Sequence, residues 1–416
     1  MRLPPRCCRL RVLGVALTVC MTIGFTLQLL GGPFHRRAPL EQQQPHAPRL
    51  SWDELSTSPR PRDCEPKQHL VFLKTHKTGS STVVNLLHRF GEARGLRFAL
   101  PHRYQLGYPL PFQERHIKGH RPGGAPYDIL CHHMRFNLPE PSPLMPPQVQ
   151  KVMQADSFYF SIVRDPAALA ASAFSYYQAV VSAFRRAGTL GHFAAAPERY
   201  YDPAARGNHY ARNLLWFDFG LPVPPASGTK ADATVEAALA QLDRTFGLVL
   251  LTEHFDESLV LLQEALCWDE DDVATFPHNG RRALGPAMAP GLAAQLRAWN
   301  ELDWQLYTHV NRSFWARVEA YGRERMARDV ARLRGRRQEL AEHCLAGGGP
   351  VPASRIGDPQ LRPLQLGRAE ILGYELRAGL GPAERRLCAR MVTPELQYKD
   401  LLDRRQFGGN STSDPT

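Results

Sequence analysis

"HLVFLKTHKTGSSTVVNLLHRF", residues 69–90, decides the fold class. A short apolar run, His69 to Leu73, meets a small hydroxylated turn, and Val83, Leu86, Leu87 and Phe90 then recur at helical spacing. Strand, tight turn and helix in that order make a phosphate-holding element, because backbone N–H groups converge at a helix N-terminus. The element is not the ATP-binding loop G-x-x-x-x-G-K-[ST]. Here Lys77 comes before the only glycine, Gly79. Lys74, Thr75, Lys77, Thr78, Gly79, Ser80, Ser81 and Thr82 are the candidate anion-binding residues. Gly79 lets the backbone approach closely, and the Ser80, Ser81 and Thr82 hydroxyls can donate to an anion or cap the helix. An ordinary capped turn accounts for the glycine and one hydroxyl. It does not account for two lysines and three hydroxyls together.

Working outward, short apolar runs alternate with helical stretches from about residue 67. The runs are 69–73, "RFAL" (97–100), "DILCHH" (128–133), "SFYFSIV" (157–163) and "GLVLLT" (247–252). Several are almost continuously apolar, as strands buried on both faces are. Helical patterns follow the first, fourth and fifth. These features predict an α/β domain with a mainly parallel sheet flanked by helices. In open parallel sheets, ligands bind beyond the carboxyl ends of the strands. That rule selects Lys74 to Ser81, the pair His132 and His133, and Arg164 as neighbours on one edge. In "FSIVRDPAALAASAFSYY" (160–177), Pro166 sits in a first helical turn, Asp165 is a candidate cap, and Ser172 falls about two turns after Arg164. Arg164 can meet a phosphate as a fork of donors.

The chain has 416 residues, 43% of them apolar and 22% charged, with a formal net charge of +11. That charge favours an anionic partner, though a plain basic surface is also compatible. Residues 12–34 carry no charge and are long enough to span a bilayer. Arg2, Arg6, Arg9 and Arg11 precede them, which predicts a type II anchor with a lumenal body; a cleaved signal peptide is the competing reading, disfavoured because no A-x-A-like cleavage site follows. The expected plan is a cytoplasmic tail (1–11), an anchor (12–34), a Pro- and Gln-rich stem (35–66), a lumenal domain (67–406) and a flexible tail (407–416). Cys64, Cys131, Cys267, Cys344 and Cys388 lie beyond the anchor and form no C-x-x-C pair. Five is odd, so at least one is free or intermolecular. Asn311 and Asn410 open glycosylation triplets. Residues 317–345 read as one long charged helix packed on the core. Its arginines are interleaved with acids, which argues against nucleic acid.

The loop and the Arg164…Ser172 pair together resemble the two phosphate-binding elements of sulfotransferases that use 3′-phosphoadenosine 5′-phosphosulfate (PAPS). The resemblance narrows with "FLKTHKTGSST", "CHHMRFNL", "SIVRDPAAL", "HYARNLLWFDFG", "EHFDESLVLL", "NRSFWARVE", "ILGY" and "PELQY". In order, from about 67 to 406, these look like the galactose-3-O-sulfotransferase family. The likeness extends most to a member acting on O-linked glycans, although the loop at 221–236 is shorter here than that member can carry. The resemblance implies a PAPS-dependent, P-loop-like sulfotransferase fold in the Golgi membrane, acting on galactose-terminated O-linked glycoproteins. Lys77 would lie at the bond to be broken, with Lys74 assisting. The loop would cradle the 5′-phosphate, and Arg164 and Ser172 would hold the 3′-phosphate.

A sugar hydroxyl needs a base. Related Golgi enzymes place a histidine after the third strand, which implies His133, with His132 second. Adjacent strand residues face opposite ways, so one of the two is structural. His132, Tyr210, Asn213 and Trp216 are candidate acceptor contacts, and for the aromatic stretch a core role is the equal alternative. In "EHFDESLVLL", Asp256 reads as a helix cap and Leu259, Leu262 and Leu266 as core. A metal site lacks a spaced ligand set, and the chemistry requires none; stimulation by divalent cations and homo-oligomerisation stay open. The competing functions are a nucleotide-dependent kinase-like transferase and a non-catalytic carbohydrate-binding membrane protein.

Overall fold

The structure is a computed structural model that describes residues 64–137, 148–225, 228–280, 288–366 and 370–408. The candidate anchor, almost all of the stem and Asn410 lie outside the described residues. Among those described, no helix is long and apolar enough to cross a membrane.

Four strands form one parallel sheet in the order β2-β1-β3-β4: β1 (Leu70–Leu73), β2 (Ile129–Leu130), β3 (Phe158–Val163) and β4 (Leu248–Leu251). All four residues of β1 and of β4 are buried, because helices cover both faces. Phe72 of β1 packs on Phe160 of β3 at 4.9 Å between ring centroids. The run 97–100 is not a strand. It makes only a bridge from Phe98 to Ile129, beside the two-residue β2, so it has too little ladder to continue.

The helices that position the site are labelled in chain order. They are α1 (Ser80–Ala93), α2 (Pro166–Tyr177), α3 (Leu214–Asp218), α4 (Thr229–Thr245), α5 (Phe255–Leu266), α6 (Pro290–Trp299), α7 (Glu301–Tyr321), α8 (Arg323–Cys344), α9 (Pro382–Val392) and α10 (Glu395–Phe407). α1, α2 and α5 follow β1, β3 and β4, as the pattern predicts. Asp165 caps α2, accepting from the Ala167 and Ala168 amides through Oδ1 while Oδ2 takes both Nε and Nη2 of Arg297. The expected single helix over 317–345 is instead two. Gly322, at φ 94°, breaks it and starts α8.

The arginines of α8 pair with α5 and with the turn after it. Arg325 meets Glu264, Arg332 meets Glu270 and Arg336 meets Asp271. Asp256 does not cap α5; it lies in the first turn, where Arg334 (2.6 Å) and Arg337 (2.5 Å) clamp it. Leu259, Leu262 and Leu266 are core, as expected. Burial opposes the Asp256 charge, but the two arginines outweigh it and hold the carboxyl below the usual carboxylate range. Such a group contributes stability in full above its unfolded pKa of about 3.9, and the contribution is lost as pH falls through the lower folded value. Asp256→Asn should therefore cost about 1–2 kcal/mol at neutral pH and converge with wild type in acid. Equal melting temperatures at neutral pH would remove the clamp from the account.

Two disulfides staple the body. Cys64–Cys267 ties the chain before β1 to the end of α5, so residue 64, inside the span read as stem, is part of the folded body. Cys344–Cys388 ties α8 to α9. Among the described residues Cys131 is the free cysteine, and it is buried. Asn311 lies within α7, where the Ser313 hydroxyl donates to the Val310 carbonyl.

Candidate active site

The loop between β1 and α1 is built to expose its amides. Lys77 (φ 61°) and Gly79 (φ 75°) both occupy the left-handed region, with Thr78 between them. A Cβ at Gly79 would meet only Thr252, at 3.9 Å, so the glycine is set by its φ and leaves open space in front of the loop. Gly79 itself is the N-cap of α1 and no side chain caps the helix; the Thr82 N–H donates to the Gly79 carbonyl (3.0 Å), which leaves the earlier amides of the turn for a ligand. The hydroxyls expected to cap or cradle are largely committed elsewhere. Thr75 donates to the Ile162 carbonyl (2.5 Å) and pairs with Thr78 (2.8 Å). Ser80 donates to the Thr75 carbonyl and Ser81 to Glu395, while Thr82 accepts the His278 amide. Thr75 and Thr78 are fully buried and do not line the cleft. Their side chains hold the loop's shape, so any contact they make with an anion is through the backbone.

The loop opens on a cleft of about 1180 Å³. Lys74, Lys77, His133, Arg164, Ser172 and Tyr210 all line it, so the residues selected by the strand-end rule do converge. Arg164 donates to the Lys77 carbonyl (3.1 Å), propping the strained loop from below. The Lys77 ammonium lies 3.6 Å over the Tyr176 ring. Lys74 joins two elements: its Nζ is 2.6 Å from His133 Nε2 and 3.2 Å from the Glu395 carboxylate at the start of α10.

Three of the acceptor candidates face elsewhere. Trp216 is core, its indole N–H donating to the Pro222 carbonyl. Asn213 sits at φ 48° with its side chain turned toward α7, where it accepts the Asp303 amide. Neither lines the cleft. His132 points into the core beside His88, with ring centroids 5.4 Å apart. Burial first, then Lys74 and Lys399, push its pKa down to about 3. Burial, before the neighbouring His132, lowers His88 well below the usual histidine range. Among the described residues, both nitrogens of His88 and Nε2 of His132 have no hydrogen-bond partner.

Sequence reasoning missed a histidine and a carboxylate. His76 lies inside the opening loop, with its ring stacked 3.8 Å from that of His133. Its Nδ1 is 3.0 Å from both oxygens of Asp218, and its backbone N–H donates to the same carboxylate (2.7 Å). Tyr108 donates to Asp218 as well (2.9 Å). Asp218 is fully buried at the end of α3. α3 is fixed from below by Asp303, which accepts the amides of Leu215 and Trp216. It is fixed from behind by Gly220, at φ 66°, where a Cβ would fall 1.7 Å from the Phe136 carbonyl oxygen. With Nδ1 donating to Asp218, the neutral His76 ring carries its lone pair on Nε2. Among the described residues that atom has no partner, and His76 lines the cleft. By contrast, His133 donates from Nδ1 to the Lys74 carbonyl (2.9 Å), and its Nε2 already faces the Lys74 ammonium.

Comparison with known proteins agrees with the family suggested by the motifs. A family model described as Galactose-3-O-sulfotransferase matches residues 7–406. The chain is 48% identical to human galactose-3-O-sulfotransferase 4, over 97% of the chain and 96% of that protein. It is 46% identical to pig galactose-3-O-sulfotransferase 2 over 82% of the chain and 85% of that protein. It is 43% identical to human galactosylceramide sulfotransferase over 82% of the chain and 79% of that protein.

Proposed function

The chain belongs to the galactose-3-O-sulfotransferase family, and from that premise we propose that it moves the sulfuryl group of PAPS to the 3-hydroxyl of a non-reducing β-linked galactose. The acceptor class proposed is the core 1 disaccharide (Galβ1-3GalNAc) of O-linked glycoproteins, and the setting is the Golgi lumen with the chain anchored as a type II protein. The observation that carries the reading is one cleft lined both by the cationic phosphate loop and by the Asp218-bound His76. The donor set fits PAPS: an open amide loop with Lys77 suits one phosphate, and Arg164 with Ser172 a second.

PAPS supplies the sulfuryl group and leaves as the bisphosphate. The chain's own residues do the rest. His76 Nε2 takes the proton of the sugar hydroxyl, and the imidazolium formed is opposed by the Asp218 carboxylate, which Tyr108 holds in place. Lys77 and the loop amides oppose the charge that builds on the departing phosphate. Lys74, bound to His133 and Glu395, holds a second positive charge at the floor of the site. Tyr210, stacked on Tyr177 at 4.0 Å, offers a ring face to the sugar.

The test is transfer from radiolabelled PAPS by the purified full chain to a panel of β-galactosides. Label should appear on core 1 acceptors and vanish when the galactose 3-hydroxyl is methylated. Equal labelling of the methylated acceptor, ATP turnover, or sugar binding indifferent to PAPS would each overturn the reading.

A further inference from the structure

Behind the sheet edge that carries the cleft, α1 and the end of β2 bring three side chains together. His88 comes from α1, and Cys131 and His132 follow β2. One potential ligand atom from each lies within 4.8 Å of the others, and all three residues are buried. Sequence spacing hid this group, because His88 is far from the pair in the chain and sits in a helix otherwise read as core. Adjacent residues on an extended strand face opposite ways. Here β2 ends at Leu130, so Cys131 and His132 can both contribute.

We propose that His88, Cys131 and His132 form a structural site for one zinc ion. Two observations carry it independently: the convergence of two imidazoles and a free thiol, and the lack of any hydrogen-bond partner for three of the four imidazole nitrogens among the described residues. Buried polar atoms are normally paired. Here a metal is the partner that satisfies a nitrogen on each ring at once. Two imidazoles and a sulfur supply three of the four positions of a tetrahedral zinc centre, and a water would take the fourth. On binding, the Cys131 S–H bond breaks, the sulfur–zinc bond forms and one proton is released. The dication and the thiolate leave one net positive charge. Of the neighbouring charged groups, Glu395 offsets it, while Lys74 and Lys399 oppose it. The ion would pin α1, which starts at the phosphate loop, to the strand end that continues into His133. Zinc would thus hold the two halves of the site in register without touching substrate.

Metal content of the full chain, purified in detergent without chelator, is the first measurement, and a zinc-to-chain ratio of about one is expected. Chelator should lower the melting temperature, and cobalt chloride added to the stripped chain should give a thiolate-to-cobalt absorption band. His88→Phe suits the aromatic surroundings of Phe98 and Tyr398, and Cys131→Ala removes the thiol; each should lose the zinc and the chelator effect. Zinc absent from the wild type together with no cobalt band would overturn the site. So would zinc retained at the wild-type ratio in both variants.

Discussion

His76→Ala is expected to lower turnover by about 10²–10⁴-fold while leaving affinity for PAPS unchanged. The geometry behind this is the placement of one proton. Asp218 accepts from His76 Nδ1, so the lone pair must be on Nε2, a buried atom without a partner among the described residues. Asp218→Asn should lose activity on a similar scale, because an amide can hold the wrong ring tautomer. Added imidazole should restore part of the turnover to His76→Ala and none to Asp218→Asn, which keeps its ring. His133→Ala should fall less far, with the loss reporting a displaced Lys74 and an unsupported His76 ring. If His76→Ala turns over within a few-fold of wild type and His133→Ala does not, the base is His133 and the expectation from resemblance is the right one.

The parallel sheet, the loop and the convergence of Lys77, His133 and Arg164 were legible because they rest on local signals. Apolar runs, a Pro166 helix start and a glycine before a helix are written in consecutive residues. The Asp218–His76 pair was not legible, since it is made by folding. The stretch "NLLWFDFG" was singled out for its aromatics, yet its helix turns Trp216 into the core and Asp218 toward the site. An aromatic and a carboxylate two positions apart on a helix face different ways, and only the sheet decides which face is inside. The hydroxyl-rich loop misled for a related reason. Thr75 and Thr78 are polar, but the nearest unsatisfied groups are carbonyls of the loop and of β3, and those win the hydrogen bonds. The zinc ligands were hidden likewise: "CHH" is visible, but His88 reads as one more buried position on α1.

Lys77 allows fold and chemistry to be separated by a single substitution. Its backbone is in the left-handed region, where a side chain costs about 1–2 kcal/mol, and glycine carries no such penalty. Lys77→Gly relieves that strain while giving up the Tyr176 contact, worth about 0.5–1 kcal/mol, and adding freedom to the unfolded chain, worth about 0.4–1 kcal/mol. These terms nearly cancel, so the melting temperature should move little. Turnover should still fall by about 10²–10³-fold, the scale seen when one charge-stabilising donor is removed from a transition state. Lys77→Arg keeps the charge on a longer, planar group and should retain more activity than Lys77→Gly at the same backbone cost as lysine. A Lys77→Gly chain that folds and transfers sulfate at the wild-type rate would show that the strained residue serves only the shape of the loop, and would move the leaving-group role to Lys74.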